Sequence, residues 1–312
     1  MDQRMRLALD AARGGTSATA LVAAGVDRRE IDRALAAGDL VRIRRNSVVD
    51  GALWRGAAPW ERHHLRGRAI AAGLTKGADC PVVLTHQSAL AVHEIALHGV
   101  DDRVHLAWRD GRRGRTSDVV RVHRRLDERF IVEAGGVLVA SPAAACVQVA
   151  ALFGAEAGLV AADDALHRRV VSADDLASAV DRLGVSRVSR GPRDMLVLAD
   201  SRIESAAESR ARWAFHLAGL EQPTPQVVLR DEWGEPWARV DFMLEGLGVI
   251  IEIDGMSKYA AAHDLREEKL REDRLRELGY EVVRLTWADL GDPALVRRKV
   301  EAAIGRARRR TA

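Results

Sequence analysis

Arg239-Val-Asp-Phe-Met-Leu244 and Val249-Ile-Ile-Glu-Ile-Asp-Gly255, joined by a turn running from Gly246 to Gly248, decide how this chain is read. Both runs have the composition of β-strands, and so short a turn makes them adjacent and antiparallel. Strand alternation puts Val240 and Phe242 on one side of the first strand and Asp241 on the other. In the second strand Ile251 and Ile253 share a face, and Glu252 and Asp254 share the opposite one. Cross-strand neighbours approach within a few Å, so Asp241 can meet Glu252. Two carboxylates that close repel unless a proton or a cation lies between them. Burying such charges costs several kcal/mol without compensation. Mg²⁺ or Mn²⁺, with oxygen ligands that include the Ile253 carbonyl, is one compensation.

The flanking sequence extends this hairpin into the order α-β-β-β-α-β-α. Ser201 is read as capping a helix through Glu204, Glu208 and Arg212 to Gly219, and Pro223 and Pro225 break it. Val227–Leu229 is the first strand, residues 231–236 a turn, Ala238–Leu244 the second strand and Val249–Asp254 the third. A charged helix over Asp264–Leu278 stops at Gly279, Tyr280–Trp287 is a fourth strand, and Asp292-Pro293 starts a last helix. Glu208 projects from the first helix towards the acid pair, to bind a cation through water or to act on an attacking water. Lys258 follows Asp254 by four residues and offers an ammonium to developing negative charge.

Residues 200–307 resemble the PD-(D/E)XK nuclease superfamily, in the branch related to very-short-patch-repair endonucleases. The resemblance is carried by Glu204-x-x-x-Glu208, Val240-Asp241-Phe242, Ile251-Glu-Ile-Asp-Gly255 and the run from Arg271 to Leu290. It implies a restriction-endonuclease-like αβββαβ core that hydrolyses phosphodiesters with Mg²⁺ or Mn²⁺. Asp241 and Glu252 would bind the metal, Asp254 and Glu208 would assist, and Lys258 would stabilise charge. The superfamily places a lysine two residues after the glutamate, where this chain has Asp254. Lys258 is the candidate substitute, and His263 is the histidine near the same loop.

At the other end, three short helices and a hairpin are read over residues 1–55. The helices cover Gln3–Arg13, a segment capped by Thr16 and ending near Gly25, and Arg28–Ala37 behind the capping box Asp27-Arg-Arg-Glu30. Leu40 to Val49 alternates and breaks at Asn46-Ser47, as a hairpin does. This is a winged helix-turn-helix pattern, whose third helix enters a DNA groove and whose wing touches the backbone. Arg28, Arg29 and Arg33 would reach nucleic acid from the helix, and Arg42, Arg44 and Arg45 from the wing. The Gly14-Gly-Thr…Gly25-Val-Asp-Arg-Arg-x-Ile run and Gly38-Asp-Leu-Val-Arg-Ile-Arg-Arg45 resemble the N-terminal domain of AbiEi-type antitoxins.

Between them, residues 56–200 read as a mixed α/β region, so the whole is an α/β multidomain protein. Helix Trp60–Leu74, strand Val82–Leu84, a helix capped by Thr85 or Ser88, strands Val104–Trp108 and Val119–His123, and helices from Pro142 to Leu198 are expected. Its histidines, His86, His93, His105 and His123 among them, lack helical metal-ligand spacing and are read as structural. Asp163-Asp164 and His167 are read as a solvated helix face.

The 312 residues suffice for two or three cores, and 47% apolar with 30% charged residues is ordinary for a globular protein. No run of 18 apolar residues exists, which argues against a membrane partner, and Met1-Asp-Gln-Arg lacks a signal core. Cys80 and Cys146 are read as buried thiols of a cytoplasmic protein. Net charge is only +3, but eight arginines lie between Arg109 and Arg129 and seven basic residues between Arg297 and Arg310. Localised basic surface suits a phosphate-backbone partner, with DNA favoured over RNA. The resemblances imply a defence, toxin-antitoxin, mobile-element or repair setting, with a toxin or defence protein as a further partner. The alternative is a non-enzymatic DNA-binding regulator or antitoxin that carries a degenerate nuclease fold.

Overall fold

The computed structural model describes residues 2–74, 82–111, 116–184, 189–254, 271 and 274–311. The chain is an α/β protein of two compact units, Met1–Ala161 with Val170–Asp194, and Ala162–Arg169 with Met195–Ala312.

The first unit opens with α1 (Gln3–Ala11), β1 (Gly15–Ser17), α2 (Ala18–Ala23), α3 (Arg28–Ala37) and the hairpin β2 (Leu40–Arg44) and β3 (Ser47–Asp50). The capping box forms as expected: Asp27 accepts from the Arg29 N–H at 2.7 Å, and Glu30 accepts from the Asp27 N–H at 3.2 Å. Thr16 does not cap α2. It lies in β1, paired with Val48, and Ser17 caps the helix by accepting from the Ala20 N–H at 3.0 Å. The strand forms there because Gly15 runs flat against a later helix, where an added Cβ would sit 2.5 Å from the Leu65 carbonyl oxygen. Met5, Leu9, Leu21, Ile31, Leu40 and Val48 make the local core.

After α4 (Gly51–Gly56) and α5 (Pro59–Leu74) comes a five-stranded mixed sheet. It contains β4 (Val82–Leu84), β5 (Val104–Trp108), β6 (Val120–His123), β7 (Ile131–Ala134) and β8 (Val137–Ala140), in the spatial order β6-β5-β4-β8-β7. The β7–β8 hairpin, turning at Gly135-Gly136, and the short α4 were missing from the sequence reading. Between β4 and β5 lies α6 (His86–Val92), which packs against α7 (Pro142–Phe153). Cys146 of α7 is buried, and Cys80 lies outside the described residues. The helices α8 (Ala155–His167), α9 (Ala173–Leu183) and α10 (Gly191–Leu198) follow.

The second unit is built on α11 (Ala206–Ala218), β9 (Thr224–Arg230), β10 (Pro236–Leu244), β11 (Val249–Asp254), β12 (Glu281–Thr286) and α12 (Pro293–Thr311). Its sheet order is β12-β11-β10-β9, with β11–β12 parallel and the other pairs antiparallel. Phe215, Phe242, Val249, Ile251, Leu285 and Val300 share one core under α11 and α12. Leu229, Val240, Ile250 and Leu275 form another. Apolar cover of both kinds explains why Val249, Ile250 and Ile251 are all fully buried in succession. Burial relaxes only from Glu252 onward, where the carboxylates begin.

Two expectations need correction here. Ser201 does not cap α11. Ser205 does, accepting from the Glu208 N–H at 3.1 Å, so Glu204 precedes the helix. Asp163 is not on a solvated face. It is buried, accepts from the Asp200 N–H at 2.8 Å, and burial pushes its carboxyl up to about 7. Asp164 pairs instead with Arg168, and His167 reaches the Ser201 carbonyl at 3.2 Å.

Phe242 is fully buried at the centre of the second unit's sheet. Phe242→Ala is expected to destabilise that unit by about 3–5 kcal/mol through lost transfer energy and a residual cavity. Denaturant unfolding followed by circular dichroism checks this. A loss under about 1 kcal/mol would mean the core is not where the structure puts it.

Candidate acidic site on the C-terminal sheet

The turn between β10 and β11 uses Gly246 at φ +75° and Gly248 at φ +63°, values that residues with a Cβ rarely adopt. It pins the register Leu244↔Val249, Met243↔Ile250 and Phe242↔Ile251. The ladder ends at Phe242↔Ile251, and Asp241 and Glu252 are the next residues along the two strands, near enough for the Asp241 charge to act on Glu252. A one-residue slip would send the two acids to opposite faces.

Asp241 is half-buried, and its Oδ2 accepts from the Ile253 N–H at 2.8 Å. Glu252 is half-buried too, and its Oε1 accepts from Arg271 Nη2 at 3.0 Å. Arg271 also donates to the Arg239 carbonyl at 3.3 Å. Burial pushes the Asp241 carboxyl up against the lowering pull of that hydrogen bond and of Arg271. Burial pushes Glu252 further, to about 7, with the Asp241 charge adding to the rise and Arg271 opposing it. Both acids are thus partly desolvated, and the Asp241 charge reaches Glu252. Arg271 was quoted in the sequence only as part of a motif. Its contact with Glu252 spans 19 residues, a separation that no local pattern announces.

Glu208 is buried near the start of α11. Its Oε1 accepts from Ser205 Oγ at 2.7 Å, and its Oε2 accepts from Gln226 Nε2 at 2.8 Å and the Glu204 N–H at 3.2 Å. Burial raises its carboxyl, and the Asp241 charge contributes, so the two acids feel each other. Among the described residues, however, Glu208, Asp241 and Glu252 are not a trio within 4.8 Å of one another. Glu208 is thus a neighbour of the pair rather than a third member of one tight cluster. Glu204 is bound by Arg239 through two parallel hydrogen bonds of 2.8 and 2.9 Å.

Asp254 lies at the end of β11, paired with Thr286 of β12, and its carboxylate is 3.7 Å from Arg284. Lys258 and His263 lie outside the described residues. Trp287 and Trp237 each hold an arginine over the ring, Arg210 at 4.2 Å and Arg274 at 4.3 Å from the centroids.

In the first unit, Arg28, Arg29 and Arg33 of α3 and Arg42, Arg44 and Arg45 of the β2–β3 hairpin are all exposed. Arg28, Arg42 and Arg45 line one cleft together with Thr19 and Asn46. Arg33 faces a different cleft beside Asp2, Glu30 and Asp39, and Arg44 borders a third with Trp108 and Asp118. Helix and hairpin cations are therefore joined at three of the six positions. The same unit assembles a cluster that spacing did not reveal: His86, His105 and His123 meet in space although 18 or more residues separate each from the next.

No family model matches the chain. Two proteins from Mycobacterium tuberculosis are similar to it: "Uncharacterized protein Rv2248" of strain ATCC 25618 / H37Rv and "Uncharacterized protein MT2308" of strain CDC 1551 / Oshkosh. Each is 27% identical over 286 residues, which is 90% of this chain and 98% of the relative. The likeness thus extends over both units rather than over either one alone.

Proposed function

We propose that the second unit is a nuclease-like domain of the PD-(D/E)XK type, hydrolysing phosphodiesters of nucleic acid, DNA in preference to RNA. On this reading the first 55 residues are a winged helix-turn-helix of the AbiEi-antitoxin kind that docks the substrate. The observation that carries the reading is the half-buried acids Asp241 and Glu252 on neighbouring strands, both with raised pKa values and with a guanidinium beside Glu252.

The residues present suit Mg²⁺ or Mn²⁺. The donors are hard carboxylate oxygens. Each acid commits one named oxygen to the protein, Asp241 Oδ2 to Ile253 and Glu252 Oε1 to Arg271. Among the described residues, no hydrogen bond takes the second oxygen of either. A metal held between them would polarise a phosphoryl oxygen and acidify a bound water. Asp241 of β10 and Glu252 of β11 would hold that ion. Glu208, its carboxyl raised by burial, is suited to hold or take a proton from an attacking water. Arg271 can move from Glu252 to a phosphate oxygen, and Lys258 is the further candidate for that charge. In the first unit, Arg28, Arg42 and Arg45 would neutralise backbone phosphates.

Two observations favour a second reading, a non-enzymatic DNA-binding regulator with a degenerate nuclease fold. Arg271 already neutralises Glu252, and Asp254 stands in the lysine slot bound towards Arg284.

Purified protein with single- and double-stranded DNA and RNA plus Mg²⁺ or Mn²⁺ separates the readings. Cleavage by the wild type that falls about a hundredfold or more in Asp241→Ala and Glu252→Ala supports the nuclease, since metal polarisation supplies several kcal/mol. Binding without cleavage under either metal sinks it and leaves the regulator. For the docking role, replacing Arg28, Arg42 and Arg45 with Ala should flatten the salt dependence of DNA binding by about 2–3 log units per log unit of salt. An unchanged slope removes that face from the interface.

Charge repulsion gives a further check. Glu252 has a folded pKa above its unfolded one, so its protonation favours the fold below about pH 4.5. That contribution is lost as pH rises through about 7. The metal-free chain should therefore lose stability between pH 5 and 8, and Glu252→Gln should reduce that slope. Millimolar Mg²⁺ should raise the Tm at pH 8 in the wild type but not in Glu252→Gln. A wild-type Tm indifferent to both pH and Mg²⁺ would show that the couple is not strained.

A further inference from the structure

Three imidazoles converge within the first unit, far in sequence from the acidic couple. One ring nitrogen from each of His86, His105 and His123 lies within 4.8 Å of the others. The fold explains the meeting. In the parallel pair β5–β6, His105 is opposite Arg121 and Ala107 is opposite His123. Strand alternation then sets His105 and His123 on one face, one step apart diagonally. His86 arrives from the other side: β4 runs antiparallel to β5, the Thr85 N–H donates to the His105 carbonyl at 3.0 Å, and His86 begins α6.

The outward nitrogens are already held. His105 Nε2 is 3.3 Å from Asp101 Oδ2, and His86 Nδ1 is 3.0 Å from Thr85 Oγ1. His105 Nδ1 lies 2.8 Å from His123 Nε2, and the His86 ring stacks on that of His123 with centroids 3.9 Å apart. An imidazole whose far nitrogen is fixed by a carboxylate or other oxygen is the usual arrangement behind a metal-binding histidine. The His86 backbone reinforces the point. It sits at φ +50°, uncommon for a residue with a side chain, and its N–H is anchored on Gln148 Oε1 at 3.0 Å.

Charge and burial select the ligand class. His105 is fully buried, His86 nearly so, and His123 half-buried. Burial is the main cause that holds all three rings below the ordinary imidazole range, with His105 at about 3 and His123 at about 4. A neutral imidazole offers one ring-nitrogen lone pair, and three such nitrogens gather here. Arg121 lies close enough to oppose a cation, and Asp101 supplies the compensating negative charge. Neutral imidazoles suit Zn²⁺ and its borderline neighbours Co²⁺ and Ni²⁺, and not the oxygen-seeking Mg²⁺.

We propose that His86, His105 and His123 bind one Zn²⁺-class ion, with Asp101 and Thr85 orienting the ligands. A tetrahedral ion with three histidine ligands keeps one position, for a water or an exchangeable ligand, near the half-exposed ring of His123. As the ion takes the place of their shared hydrogen bond, the nitrogens of His105 and His123 would separate, and the His86 ring would turn off the His123 face to direct its in-plane lone pair at the ion. This site is independent of the acidic couple in ligand chemistry and in residues.

The test uses the full chain stripped of metal by chelation and dialysis. ZnCl₂ is titrated by calorimetry and CoCl₂ by visible absorption. One equivalent of each is expected, with the intense d–d bands of tetrahedral Co²⁺. His105→Ala and His123→Gln should weaken binding more than about 100-fold, and Asp101→Asn by about 10–100-fold. The Asp241→Ala/Glu252→Ala double variant should bind Zn²⁺ as the wild type does. Circular dichroism and melting curves confirm that the variants fold, and His123→Gln, at a half-exposed position, is the mildest. A measurement on the wild type alone backs the variants: Zn²⁺ should shield His123 from acylation by diethyl pyrocarbonate, read by peptide mass spectrometry. No stoichiometric binding by the wild type, binding unchanged in folded His123→Gln, or a bound ion that leaves His123 acylation unaltered would each overturn the proposal.

Discussion

The second unit depends on a repulsion that its own hairpin creates. The glycine turn at Gly246 and Gly248 fixes the register that ends at Phe242↔Ile251, and the next residues on the two strands are Asp241 and Glu252, whose charges act on one another's surroundings. Apolar packing of Phe242 and Ile251 one step along the same strands then prevents relief by slippage, since a slip would turn both apolar side chains out of the core. What can adjust is charge. Arg271 reaches over to Glu252, the Ile253 amide turns to Asp241, and Arg239 is drawn off by Glu204. The surroundings of the couple can be understood as partial answers to one electrostatic problem.

The same logic separates the two candidate ion sites. The sheet of the second unit presents oxygen anions that gain from a hard cation because they repel without it. The sheet of the first unit presents neutral nitrogens whose burial keeps protons off and lone pairs available. Asp101 and Thr85 orient rings, whereas Arg271 competes for a ligand. A single divalent ion would therefore discriminate between the sites by ligand hardness alone.

Much of the second unit's order of elements is legible along the chain, because strand alternation, paired prolines and glycine turns are local signals. The β9–β12 strands and the turns between the first three fall close to where residue patterns put them. The capping box at Asp27 and the strand Val82–Leu84 are equally local, and both form. What stayed hidden is long-range. Arg271 meeting Glu252, Asp163 burying itself beside Asp200, and β1 adding to the β2–β3 hairpin all join residues with no periodic relation. The histidine cluster is the clearest case. The three histidines have no helical spacing because they come from two strands and the start of a helix. The one local clue was the placing of His105 and His123 on the inward phase of their strands.

Asp163 carries a consequence for how this molecule can be dissected. It belongs to the short segment Ala162–Arg169, which serves the second unit, while Val170–Asp194 returns to the first. The two units are thus interleaved along the chain rather than strung end to end. No single cut gives two whole pieces: a fragment that begins at residue 201 lacks both Asp163 and Asp200, the two acids beside the buried Arg212. A fragment meant to hold the second unit whole would have to start before Ala162, and so would carry Val170–Asp194 of the first as well.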